Sequence, residues 1–75
     1  MDAAKLVRMA NQIGQFFASQ RHTDAASAIA DHLRKFWEPR MRATLIAHLD
    51  AGGAGIDGPV RKAVDLLKAE PPPNA

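Results

Sequence analysis

The three histidines, His22, His32 and His48, are the first candidates for chemistry in this 75-residue chain. Imidazole binds metals, but a structural zinc site needs four ligands, usually including thiolates, and a catalytic zinc site needs three. The chain has no cysteine, and no two of its histidines are four residues apart. We therefore expect no metal site, and the missing thiols also exclude disulfides, iron–sulfur ligation and thiolate catalysis.

A glycine-rich hexapeptide at residues 53–58 has the G-x-G-x-x-G spacing of dinucleotide-binding loops. That fingerprint holds a pyrophosphate only where a strand precedes it within a βαβ unit. Here it follows a helical pattern, so we interpret it as a flexible loop between two helices. The carboxylates are scattered singly, and no Ser/His/Asp grouping has an interpretable spacing. The sequence therefore predicts a chain that is not an enzyme, with no catalytic, cofactor-binding or metal-binding residues.

Residues 32–42 combine the only tryptophan with a cluster of positive charge. Such a cluster can contact phosphates or an acidic protein surface. Arg40 and Arg42 fall in the first turn of a predicted helix, where each positive charge is disfavoured by roughly 0.3–1 kcal/mol. They indicate either a functional surface or surface ion pairs, and both alternatives remain open. The candidate carboxylates for such pairs are Glu38, Asp31 and Asp24.

Trp37 has two interpretations, as a main core residue or as part of an interface, where Trp and Arg are enriched. Both can hold if one edge of the ring is buried and the other meets a partner. The predicted partner-binding residues are Arg34, Trp37, Arg40, Met41 and Arg42.

Helical periodicity recurs four times along the chain, whereas strand patterns are nearly absent. The sequence predicts an all-α fold, a small compact bundle of three to four short helices in a single domain over residues 1–70. Thr23 or Asp24 is expected to cap the second helix. Pro39 is expected to end that helix and to begin the third, which stops at a glycine pair, residues 52–53. Residues 71–75 form a predicted flexible, proline-rich tail.

The apolar stripes of these helices are rich in alanine, so the core is expected to be thin and completed by a partner. Its bulk is expected from Phe16, Phe17, Phe36 and Trp37. Gly14 is expected to mark the close approach of another helix. No apolar run has the length of a membrane span, and no signal-peptide pattern opens the chain. We therefore expect a soluble, cytoplasmic protein without membrane contact.

The segment AIADHLRKFWEPRMR at residues 28–42 resembles the small delta subunit of cytoplasmic NAD-dependent formate dehydrogenases. The resemblance extends upstream through LVRMANQIGQFF at residues 6–17 and downstream through Leu49, the glycine pair and residues 58–60. It covers nearly the whole chain apart from the tail, and the two blocks together are specific. Glu38 stands where aspartate is equally expected, a change that keeps the charge.

The resemblance implies a non-catalytic accessory subunit of a multi-subunit enzyme. In that family the alpha subunit carries a bis-molybdopterin guanine dinucleotide cofactor and iron–sulfur clusters, and beta and gamma subunits pass electrons to NAD. The delta subunit is associated with obtaining a cofactor-loaded, active complex. The expected partner is the alpha subunit, with a cofactor-maturation factor as a further candidate, and no cofactor is expected on this chain alone.

Two alternatives remain from the residues themselves. A helix-turn-helix nucleic-acid-binding protein would use the third helix for recognition, although a net charge of +2 is low for that role. A self-associating helical protein would complete its thin core with a second copy.

Overall fold

The computed structural model describes residues 2–20 and 24–69, which form four α-helices in succession. The helices are α1 (Ala3–Ala18), α2 (Ala25–Phe36), α3 (Pro39–Asp50) and α4 (Gly58–Ala69). No strand occurs in these two ranges, so the all-α prediction is confirmed. The proposed tail, residues 71–75, lies outside the described residues, as do His22 and Thr23. Within the described ranges no helix is both long enough and apolar enough to span a membrane.

The helix boundaries follow from local signals in the sequence. Asp2 caps α1, with its carboxylate accepting a hydrogen bond from the Ala4 amide at 3.0 Å. Asp24, one of the two predicted candidates, is the N-cap residue of α2. Its carboxylate accepts a hydrogen bond from the Ser27 hydroxyl at 2.9 Å and none from a backbone amide of the helix. Pro39 occupies the first turn of α3, because its fixed φ angle suits that position.

The glycine pair after α3 ends that helix as predicted. The Gly53 amide donates to the His48 carbonyl at 2.9 Å, and the Gly52 amide donates to the Leu49 carbonyl at 3.0 Å. These two bonds are the pattern of a Schellman motif, which satisfies carbonyls left open at a helix C-terminus. Both glycines have positive φ angles, +122° and +67°, which side chains with a Cβ rarely adopt.

The core lies where α2 meets α4, its most extensive contact, with α1 and α3 packed around this pair. Five large side chains are fully buried: Ile29, Leu33, Leu45, Val60 and Val64. Gly14 of α1 faces Val60 so closely that a Cβ on Gly14 would lie 2.7 Å from the Val60 Cγ2 atom. The expected close approach at Gly14 is therefore present, and it joins α1 to α4.

The prediction that Phe16 and Phe36 supply core bulk is wrong, because they are 61% and 72% exposed. Neighbouring residues on a helix point about 100° apart, so Phe16 and Phe17 cannot both face the core. At the end of α2, Trp37 leaves the helix with extended backbone angles (φ −91°, ψ 139°), and its side chain is buried in the core. Phe36 stays on the outer face.

Candidate partner-binding surface

The corner between α2 and α3 is built by the two residues that precede the first turn of α3. Trp37 and Glu38 both have extended backbone angles, as expected before Pro39. Trp37 is only 6% exposed and belongs to the main core cluster. Of the two interpretations of Trp37, the structure supports the core residue, and little of its surface is left for a partner.

Arg42 reaches back from α3 to the C-terminus of α2. Its Nη1 atom donates to the carbonyl of Arg34 at 2.8 Å, to that of Trp37 at 3.0 Å and to that of Leu33 at 3.4 Å. These carbonyls lie at the C-terminal end of α2, where helix carbonyls lack amide donors, although that of Leu33 also accepts from the Trp37 amide at 3.0 Å. A cation is favoured at a helix C-terminus. The positive charge of Arg42 is thus unfavourable at the start of α3 and favourable at the end of α2. The contact with α2 explains why an arginine is found at this position.

Arg34 and Lys35 both pair with Asp31 on the surface of α2. Arg34 Nη1 lies 3.1 Å from Asp31 Oδ1, and Lys35 Nζ lies 3.0 Å from Asp31 Oδ2. The hydrogen bond from Lys35, together with the charges of Lys35 and Arg34, lowers the pKa of Asp31 below its ordinary value. Two cations therefore share one carboxylate on the outer side of the last turns of α2.

Arg40 differs from its neighbour Arg42 because it faces solvent. Its side chain forms no hydrogen bond or ion pair with any residue in the described part of the chain. Neither Arg40 nor Arg42 pairs with the carboxylates suggested by the sequence, of which Asp31 is already held by Arg34 and Lys35. Arg40 is therefore the cation of this corner that is available to another molecule.

The five predicted partner-binding residues thus divide into two groups. Trp37 and Arg42 hold the corner together, while Arg34 and Arg40 present charge to solvent. Met41 is half-buried and packs against the core cluster, leaving part of its side chain exposed beside Arg40. We call the four residues Arg34, Arg40, Met41 and Arg42 the basic corner.

A row of four rings on α1 and α2 was not anticipated from the sequence. Phe16 meets Phe17 edge to face with ring centroids 5.2 Å apart, Phe17 meets His32 at 5.9 Å, and His32 meets Phe36 at 4.8 Å. The signal in the sequence was the adjacency of two aromatic residues at 16–17 and again at 36–37. One member of each pair must face away from the core unless the backbone turns between them.

The glycine-rich segment is held in place by side chains from three helices. Asn11 of α1 donates to the Gly55 carbonyl at 2.8 Å and accepts from the Asp57 amide at 3.0 Å. Arg61 of α4 donates to the Gly53 carbonyl at 2.7 Å. His48 Nε2 lies 2.8 Å from the Ala54 carbonyl oxygen. The segment is a loop between α3 and α4, as predicted, and these bonds tie it to the helices around it.

The two described histidines lie apart, because His32 belongs to the ring row and His48 contacts the loop. Among residues 2–20 and 24–69 no group of three or more acidic or histidine side chains is placed to hold a metal ion.

The family model described as FdsD, the NADH-dependent formate dehydrogenase delta subunit, matches residues 5–64. This range contains all of α2 and α3, most of α1, the basic corner and the ring row. The comparisons found no similar curated protein and no similar solved structure.

Proposed function

The chain belongs to the family of NADH-dependent formate dehydrogenase delta subunits, and from this premise we propose that it is a non-catalytic accessory subunit acting in the cytoplasm. In this proposal the chain binds the molybdenum-containing alpha subunit. It supports insertion or retention of the bis-molybdopterin guanine dinucleotide cofactor, which together with the iron–sulfur clusters belongs to the partner complex. The catalytic groups are supplied by the other subunits.

The observation that carries this proposal is the basic corner. Arg40 is exposed and unpaired within the described ranges, and it stands on a backbone that Arg42 fixes through three carbonyls. A charge held on a rigid element loses little entropy when it meets a partner. Complementary charge also speeds association and selects the partner. The corner therefore suits an acidic patch on a larger protein.

The test is co-purification of the tagged chain with the alpha subunit. Arg40→Glu reverses a charge without removing an internal contact, so we expect the recovered alpha subunit to fall about tenfold, equivalent to roughly 1.4 kcal/mol. Lys62→Glu is the matched control, because Lys62 is an exposed cation of α4 beside the start of α2 and far from the corner. Circular dichroism establishes that both variants fold. Equal recovery from wild type, Arg40→Glu and Lys62→Glu would exclude the corner as the contact.

The cofactor role is tested separately. The enzyme complex is produced with and without this chain, and its molybdenum content and formate oxidation are measured. We expect both to be lower without the chain, in the same proportion. Equal molybdenum content in the two preparations would contradict a role in cofactor insertion or retention.

A further inference from the structure

A shallow groove runs between the outer faces of α1 and α2, with the ring row along it. Phe17 and His32 form its floor, and a hollow lies on either side of them. One hollow, of about 320 Å³, is bounded by Ile13 and Phe16, and the other, of about 230 Å³, is bounded by Phe36. We call this feature the α1–α2 groove.

The groove concentrates the large apolar surface of the protein. Of the four large hydrophobic side chains that are exposed in the described ranges, Met9, Phe16 and Phe36 lie on this face and only Leu66 lies on α4. Met9 and Phe16 belong to one stripe of α1, which residues 5, 9, 12 and 16 form by their spacing of three and four. Contiguous exposed apolar surface of this kind is typical of interaction sites.

We propose that the α1–α2 groove binds an amphipathic helix of the partner subunit, whose apolar side chains contact Phe16 and Phe36 and whose acidic side chains flank them. This inference rests on the proposed function and adds to it a second contact surface. A groove between two helices fits a third helix laid along it, anchored by side chains spaced at three and four residues.

The charges along the groove favour an acidic partner over a second copy of the chain. Lys5 continues the apolar stripe of α1 and forms no ion pair in the described structure, and Lys35, which lines the groove, shares its carboxylate partner Asp31 with Arg34. Two copies facing each other through this groove would bring like charges together, which is unfavourable. Lys5 and Phe16 are separated by eleven residues of helix, about 16 Å, so a partner helix of some three turns spans both.

The test measures the affinity of purified alpha subunit for the chain. We expect Phe16→Ala and Phe36→Ala each to weaken binding about tenfold or more, as buried aromatic anchors do. Leu66→Ala is the matched control, an exposed apolar residue outside the groove, and we expect it to leave affinity unchanged. Lys5→Glu is expected to weaken binding, whereas Lys62→Glu is not. Because Phe16 and Phe36 are mostly exposed, thermal denaturation should show all these variants folded.

The outcomes separate the two proposals. Wild-type chain that does not bind the alpha subunit would overturn the proposed function itself. Wild-type binding that is equal in Phe16→Ala, Phe36→Ala and Leu66→Ala would overturn the groove and leave the function standing. Sedimentation of the chain alone tests the remaining occupant: self-association that the two Phe variants abolish, with binding to the alpha subunit unchanged, would assign the groove to a second copy and overturn the inference.

Discussion

Arg40 and Arg42 show how two identical side chains, two residues apart, take different roles. Both stand in the first turn of α3, where the helix dipole disfavours them. Arg42 is compensated by the open carbonyls at the end of α2, so the fold accounts for it. Arg40 has no such compensation among the described residues, and in the proposed function a partner supplies it. The fold therefore resolves the local electrostatic conflict in the sequence for Arg42 only.

Replacement of Arg42 by alanine is expected to destabilise the fold. Removing the guanidinium leaves the carbonyls of Arg34 and Trp37 without this donor, while that of Leu33 keeps the Trp37 amide, and the loss is about 2 kcal/mol, the range of hydrogen bonds to a charged group. Arg40→Ala should stay within about 0.5 kcal/mol of wild type, as surface substitutions usually do. Urea denaturation followed by circular dichroism measures both.

Arg42→Lys is the informative control for that comparison. Lysine keeps the charge at the end of α2 but lacks the planar guanidinium that places Nη1 among the three carbonyls, so we expect stability between those of wild type and Arg42→Ala. If Arg42→Ala and Arg40→Ala unfold at the same urea concentration, the contact with α2 contributes nothing to stability. Trp37→Ala is not a probe of binding, because Trp37 is buried and its truncation is expected to destabilise the fold.

At the scale of the elements, the close packing of α1 against α4 depends on the absence of a side chain at Gly14. Gly14 is buried, and Val60, which faces it, is fully buried and branched at Cβ. Val60 has no flexible end to move aside, so a methyl group at position 14 must push the helices apart. Overpacking of this kind costs about 1–3 kcal/mol.

Gly14→Ala is therefore expected to destabilise the protein, by about 1 kcal/mol net, although alanine alone favours a helix by about 0.8–1 kcal/mol. Gly58→Ala is the matched control, since a Cβ at Gly58 meets nothing within 4 Å, and it should be neutral or stabilising by about 0.5 kcal/mol. The double variant Gly14→Ala, Val60→Ala should lose less than the sum of the two single variants, because the new methyl fills the space that Val60 leaves. Thermal denaturation of wild type, Gly14→Ala, Val60→Ala and the double variant tests this. Strictly additive losses of stability would show that the contact between residues 14 and 60 is not strained.

The elements themselves could be predicted from the sequence more fully than the surface. Pro39, the glycine pair at 52–53 and the acidic caps fix helix ends through local geometry, and local geometry is what a sequence displays. The outward position of Phe36 depends on the turn of the backbone at Trp37, which only the packed chain defines. The reach of Arg42 to α2 likewise joins two helices. Such contacts depend on how the helices are placed relative to one another. The ring row and the contact of Arg42 with α2 could therefore not be predicted from the sequence.

At the scale of the whole molecule, α2 serves both the core and the two proposed contact surfaces. Its inner face supplies Ile29 and Leu33 to the contact with α4, and its outer face supplies His32 and Phe36 to the groove. Its C-terminus carries Arg34 of the basic corner. A partner that covers α2 from outside would therefore meet apolar rings and cations side by side, and these contribute differently to the rates of binding.

The association and dissociation rates of the chain with the alpha subunit should separate these two contributions. Exposed cations act at a distance and are screened by salt, so the wild-type association rate should fall as ionic strength rises. Arg40→Glu and Lys5→Glu should lower that rate at low salt and flatten its salt dependence. Phe16→Ala and Phe36→Ala should instead raise the dissociation rate about tenfold and leave the salt dependence of association as in wild type, because ring contacts form only in the docked complex. Surface-based kinetic measurement at two salt concentrations tests this, and a salt-independent wild-type association rate would refute the steering role of the basic corner.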